Sequence, residues 1–97
     1  MTTLAEIVHE KRGAYDRTTM LRCDRTGRII RITTMPLSRS GRYLTNYAEG
    51  RVDPSNPHFH NIVYTYNATR VDLDMQAAFD HHDQLVEAAR IKGACHV

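Results

Sequence analysis

The chain has 97 residues, 41% hydrophobic and 25% charged, a balance that suits one modest core and excludes both a second domain and an unfolded coil. No apolar run approaches the roughly 18 residues that span a bilayer, and Met1-Thr2-Thr3-Leu4-Ala5-Glu6 lacks the basic and apolar regions of a secretory leader, so a cytoplasmic protein is expected. Net charge is only +2, yet residues 11–51 carry ten basic side chains against three acids, while residues 52–97 carry three bases against six acids.

Arginine outnumbers lysine eleven to two. A guanidinium suits bidentate contact with phosphate or carboxylate, so the basic half reads as a surface for an anion. Cys23 and Cys95 form no CxxC pair, which argues against a disulfide framework or a cysteine-only zinc site and for a reducing compartment.

Taken in chain order, Thr3-Leu4-Ala5-Glu6 has the form of a capping box, and Leu4, Ile7, Val8 and Lys11 follow at helical spacing. A short N-terminal helix ending at Gly13 is expected. Thr18 to Asp24 and Ile29 to Met35 are strand-like, with Arg25-Thr26-Gly27-Arg28 as the turn between them. An even-numbered loop pairs Cys23 with Ile30, Leu21 with Ile32 and Arg22 with Arg31. Ser38-Arg39-Ser40-Gly41 marks a second turn before a third strand, Arg42 to Ala48. Glu49 to Pro57 reads as a proline-stiffened loop and Phe59 to Tyr66 as a fourth strand, with either face of it open to burial. Met75, Ala78, Phe79, His82, Val86 and Ala89 follow a 3, 4, 7 pattern, which predicts an amphipathic helix from about Leu73 to Lys92, capped by Asp72 or Asp74 and ended by Gly93.

These elements predict a single α+β domain over residues 1–97. The expected architecture is a two-layer sandwich in the order α-β-β-β-β-α, a four-stranded antiparallel sheet with a short N-terminal and a long C-terminal helix on one face. The other face is left to solvent or a partner.

On that outer face, Arg22 and Arg31 are expected to stand opposite each other, with Arg25 and Arg28 in the turn and Arg42, Tyr43 and Tyr47 on the next strand. Facing like charges destabilise a sheet by a few tenths to about 1 kcal/mol, a cost that makes sense if an anion bridges them. Tyrosines beside arginines form a stacking platform for single-stranded nucleic acid. The competing reading is a set of solvated side chains paired with nearby acids.

Histidines form the second constellation. His58 and His60 flank Phe59 and would share a strand face as a metal-ligand pair, with His81 or His82 as a third ligand. No HExxH or matched CxxC spacing supports them, and His82 also fits the apolar face of its helix. Asp80-His81-His82-Asp83 resembles the metal-binding pairs of HD-type phosphohydrolases, but those draw further ligands from a larger all-helical domain. Cys23 to Arg28 is one residue shorter than the cysteine-phosphatase loop and fits a hairpin turn better. No nucleophile, base and orienting group share a local motif, and no cofactor motif is present.

The expectation is therefore a non-enzymatic binding module for nucleic acid or nucleoprotein. The alternatives are a protein-interaction inhibitor or adaptor, of the kind encoded by phages and mobile elements, and a small histidine-metal enzyme. A homodimer suits the first two.

Overall fold

Extended backbone, rather than the expected helix, runs over Ala5–Arg12. In the computed structural model, which describes residues 5–23, 27–52 and 62–93, Ala5–Arg12 is strand β1 and Arg17–Cys23 is strand β2. They pair antiparallel across Gly13-Ala14-Tyr15-Asp16, where the Gly13 N–H donates to the Asp16 carbonyl at 2.8 Å. Gly13 is thus the first residue of a hairpin turn and not a helix stop. A short isolated helix is marginal, whereas here the backbone pairs along a whole neighbouring strand and buries Ala5 in the core. A register shift between Ile7 and His9 places one extra residue, Val8, on the edge strand. Thr3 and Leu4 lie outside the described residues.

Strands β3 (Arg28–Pro36), β4 (Tyr43–Val52) and β5 (Ile62–Asp72) complete a five-stranded antiparallel sheet in the order β1-β2-β3-β4-β5. Among the described residues, the expected four-stranded sheet with two helices is corrected to β-β-β-β-β-α with one helix. Strand β4 also runs further than expected, because Glu49 and Gly50 continue the ladder against Tyr66 and Tyr64. Arg42 falls just before it, in the turn.

Helix α1 spans Met75–Lys92. Asp74 caps it by accepting from the Ala77 N–H at 2.8 Å, and Gly93, at a φ of 78°, closes it by donating to the Ala89 carbonyl. Only glycine takes that left-handed conformation without strain, and Arg90 and Lys92 meet the negative end of the helix dipole. Among the described residues no helix is long and apolar enough to cross a membrane.

The main core lies between α1 and one sheet face, while Ile29 and Ala48 are buried on the other face among their cross-strand neighbours. Leu21, Cys23, Ile30, Ile32 and Tyr47 come from the strands, and Ala78, Phe79 and Ala89 from the helix. His82 is also there, 1% exposed. Its two ring nitrogens lie 2.9 Å from the hydroxyls of Thr19 and Thr34, and Thr34 bonds in turn to Thr45 at 2.9 Å. A neutral imidazole has one donor and one acceptor, so this arrangement uses both without a charge. Burial, with Arg17 and Arg12 adding to it and Asp83 opposing, lowers the His82 pKa to about 4.

Candidate functional site

Strand pairing decides which side chains share the face that α1 leaves uncovered. Arg22 opposes Ile29 and Met20 opposes Arg31, so the two arginines are diagonal neighbours and not the direct pair expected. Both stay on the open face, because the observed register differs from the expected one by an even number of residues. Rows of cross-strand partners then cross the sheet: His9, Met20, Arg31, Ala48 and Asn67 in one, and Glu6, Arg22, Ile29, Gly50 and Tyr64 in the next.

Arg31 reaches across β4 to stack on Tyr64 of β5, its guanidinium carbon 4.7 Å from the ring centroid. The path is clear because the residues it crosses, Ala48 and Gly50, are the two smallest types. A cation held over an aromatic face in this way is stabilised by up to about 1 kcal/mol where exposed and more where desolvated. The Arg31 Nε is buried without a hydrogen-bond partner. Arg22 pairs with Glu6 across β1 and β2 at 3.1 Å, both side chains about half exposed. Lys11 stands further along β1, on the same face as Thr18. Among the described residues the open face therefore carries Lys11, Arg22 and Arg31 against one acid, Glu6.

The remaining expected site residues are not gathered with them. Arg28 lies on the helix side of the sheet, where its Nη1 donates to the buried carboxylate of Glu49 at 3.0 Å. The Tyr47 hydroxyl donates to the other oxygen of Glu49 at 2.5 Å, and its ring packs edge-on against Tyr66. Tyr43 packs edge-on against Phe79 of α1. Both expected stacking tyrosines thus serve the core, since Tyr43, Thr45, Tyr47 and Glu49 alternate onto the helix side. Tyr64 is the ring that stands beside an open-face arginine, and its place follows from a register shift between Glu49 and Gly50 that no local sequence signal reveals. Arg42 is exposed in the turn between β3 and β4, away from the Arg31–Tyr64 stack. Arg25, His58 and His60 lie outside the described residues.

The helix histidines do not converge on a metal. His82 commits both nitrogens to threonines, Asp80 accepts from Gln76 at 2.9 Å, and Asp83 pairs with Arg17 at 3.0 Å. Among the described residues no group of three or more metal-ligating side chains comes together.

No family model matches the chain, and neither the curated proteins nor the solved structures include a significant match to it.

Proposed function

We propose that this protein is a non-enzymatic binding module whose open sheet face engages nucleic acid. The observation that carries the reading is the arrangement of Lys11, Arg22 and Arg31 on the one sheet face that the helix leaves uncovered, with Tyr64 already in stacking contact with a guanidinium. Arginines contact phosphates through a planar fork, and aromatic rings accept bases of any sequence. In this reading a phosphate displaces Glu6 from Arg22, and a base extends the Arg31–Tyr64 stack. A cytoplasmic setting fits this role.

Fluorescence anisotropy with a single-stranded DNA and the matching RNA, measured over a salt series, tests it. Affinity should fall steeply with salt, at a log–log slope near −0.7 per phosphate contact. Arg22→Ala, which removes the phosphate contact, should flatten that slope by about 0.7, and combined with Arg31→Ala should weaken low-salt binding at least about tenfold. Salt-independent affinity, or a double variant that binds like the parent, removes the proposal.

A second observation favours a protein partner instead. Met35, Leu44 and Val71 are cross-strand neighbours in one row of the same face, with Met35 and Val71 both more than 40% exposed. Such a row suits an adaptor, an inhibitor or a second copy of the chain. Capture of one defined protein that survives nuclease treatment and is lost in Val71→Lys supports this reading. A concentration-dependent mass in sedimentation would single out the homodimer.

A further inference from the structure

Helix α1 packs most closely on β3 and β4 and least on β5. A cleft of about 300 Å³ opens there between the helix and the last two strands. This is the lower end of the range for small-molecule sites, enough for a fused two-ring compound. Its inner walls are mainly apolar and aromatic, from Tyr47, Tyr66, Ala68 and Leu85. Arg70 and His81 add polar groups from β5 and α1.

Arg70 is 59% exposed and bonds Asp72 through one terminal nitrogen, Nη2 to Oδ1 at 3.2 Å. A guanidinium presents five N–H donors, so a single contact of this kind leaves donors for a further anion. The His81 Nδ1 is buried without a hydrogen-bond partner, and burial, followed by the nearby Arg70 charge, keeps the ring's pKa below its usual value. A neutral imidazole therefore lines the cleft beside a cation. An apolar slot walled by two tyrosine rings, with one arginine fork, matches a flat hydrophobic body ending in a carboxylate.

From these features we infer that the cleft between α1 and β4–β5 is a binding site for small aromatic carboxylates, held by Arg70 and enclosed by Tyr47, Tyr66 and Leu85. The site is separate from the open sheet face, on the opposite side of β4, and stands whether or not that face binds nucleic acid. Its recognition is divided between ring packing inside and charge pairing at Arg70, so neither half alone gives full affinity.

The test is an amide-resolved NMR titration of the intact chain with 1-naphthoate, with 1-naphthalenemethanol as the uncharged counterpart. Naphthoate should bind saturably with a Kd on the order of 1 mM or tighter. Shifts should centre on β4, β5 and the Leu85 turn of α1. The alcohol, and naphthoate with Arg70→Gln, should each bind about tenfold more weakly. Ala68→Leu, which fills the cleft from the strand side, should abolish binding while the dispersed spectrum shows the fold intact. If Ala68→Leu unfolds the chain, Leu85→Phe narrows the cleft from the helix side and carries the same expectation. No saturable shifts at about ten times the expected Kd, equal affinity for acid and alcohol, or shifts centred on Arg22 and Arg31 would each overturn the assignment.

Discussion

Acidification from pH 7 to pH 4 is expected to remove about 3 kcal/mol of folding stability through His82 alone. The side chain is buried between two threonine hydroxyls, and its folded-state pKa is about 4 against an ordinary value of 6.5. Above pH 6.5 the ring is neutral in both folded and unfolded chains, and its contribution to stability is fully present. Below pH 6.5 the unfolded chain takes up a proton that the folded one refuses, and each pH unit then favours unfolding by about 1.4 kcal/mol. The loss ends near pH 4, where the folded ring also protonates. His81, whose pKa is lowered in the same direction, adds to the slope. Urea midpoints between pH 6.5 and 5 separate the histidine effect from the carboxylates, most of which are still ionised there, and the comparison with His82→Gln assigns the larger share. His82→Gln should flatten this slope while costing stability at pH 7, since the smaller side chain leaves part of the fully buried ring's volume unfilled. A His82 ring proton that titrates near 6.5 in NMR would contradict the account.

Gly50→Ala is expected to cost about 2–3 kcal/mol, a fall in Tm of roughly 10–20 °C for a domain of this size. A Cβ at this position would clash with the Val63 carbonyl oxygen and lie 2.9 Å from the Tyr64 Cα. Both are backbone atoms of the adjacent strand, so relief requires β5 to move and not a side chain to rotate. The same movement carries Tyr64 away from Arg31. The variant should therefore weaken binding at the open face beyond its effect on stability, and a thermal melt unchanged from the parent would refute the close-approach argument.

Gly50 also shows where sequence reasoning ends. Beside Asp53-Pro54 and Asn56-Pro57 it reads as the start of a loop, yet it is a packed strand residue, because the need for a missing side chain comes from β5 and not from its own neighbours. The hairpin of β2 and β3 was legible as a hairpin with its faces correct. Its register was not, since a shift by two leaves every side chain on the same face and the apolar pattern is silent between the two. At the N-terminus, Leu4, Ile7, Val8 and Lys11 fit a helix, but local spacing carries no information about a partner strand that supplies hydrogen bonds. Helix α1 was legible because caps, period and apolar stripe agree over 18 residues.

For the site, Arg22 and Arg31 were recognisable from strand parity. The helix-side place of Tyr43 and Tyr47 is not legible, because Tyr43, Thr45, Tyr47 and Glu49 alternate with Leu44, Asn46, Ala48 and Gly50, and hydrophobicity does not decide between those two sets. The buried Glu49, held by Arg28 and Tyr47, is what a hydrophobicity pattern assigns to solvent.

Because strand order follows chain order, each of the four pairings in the sheet joins segments adjacent in sequence, and the first and last strands never touch. Long-distance closure falls to the helix, whose His82 and Asp83 reach back 63 and 66 positions to Thr19 and Arg17. Assembly can then run as a series of cheap local loop closures, with docking of the C-terminal segment as the one entropically expensive event. Amide protons of the central strands should accordingly outlast those of both edges in exchange, and the His82–threonine contacts should form late.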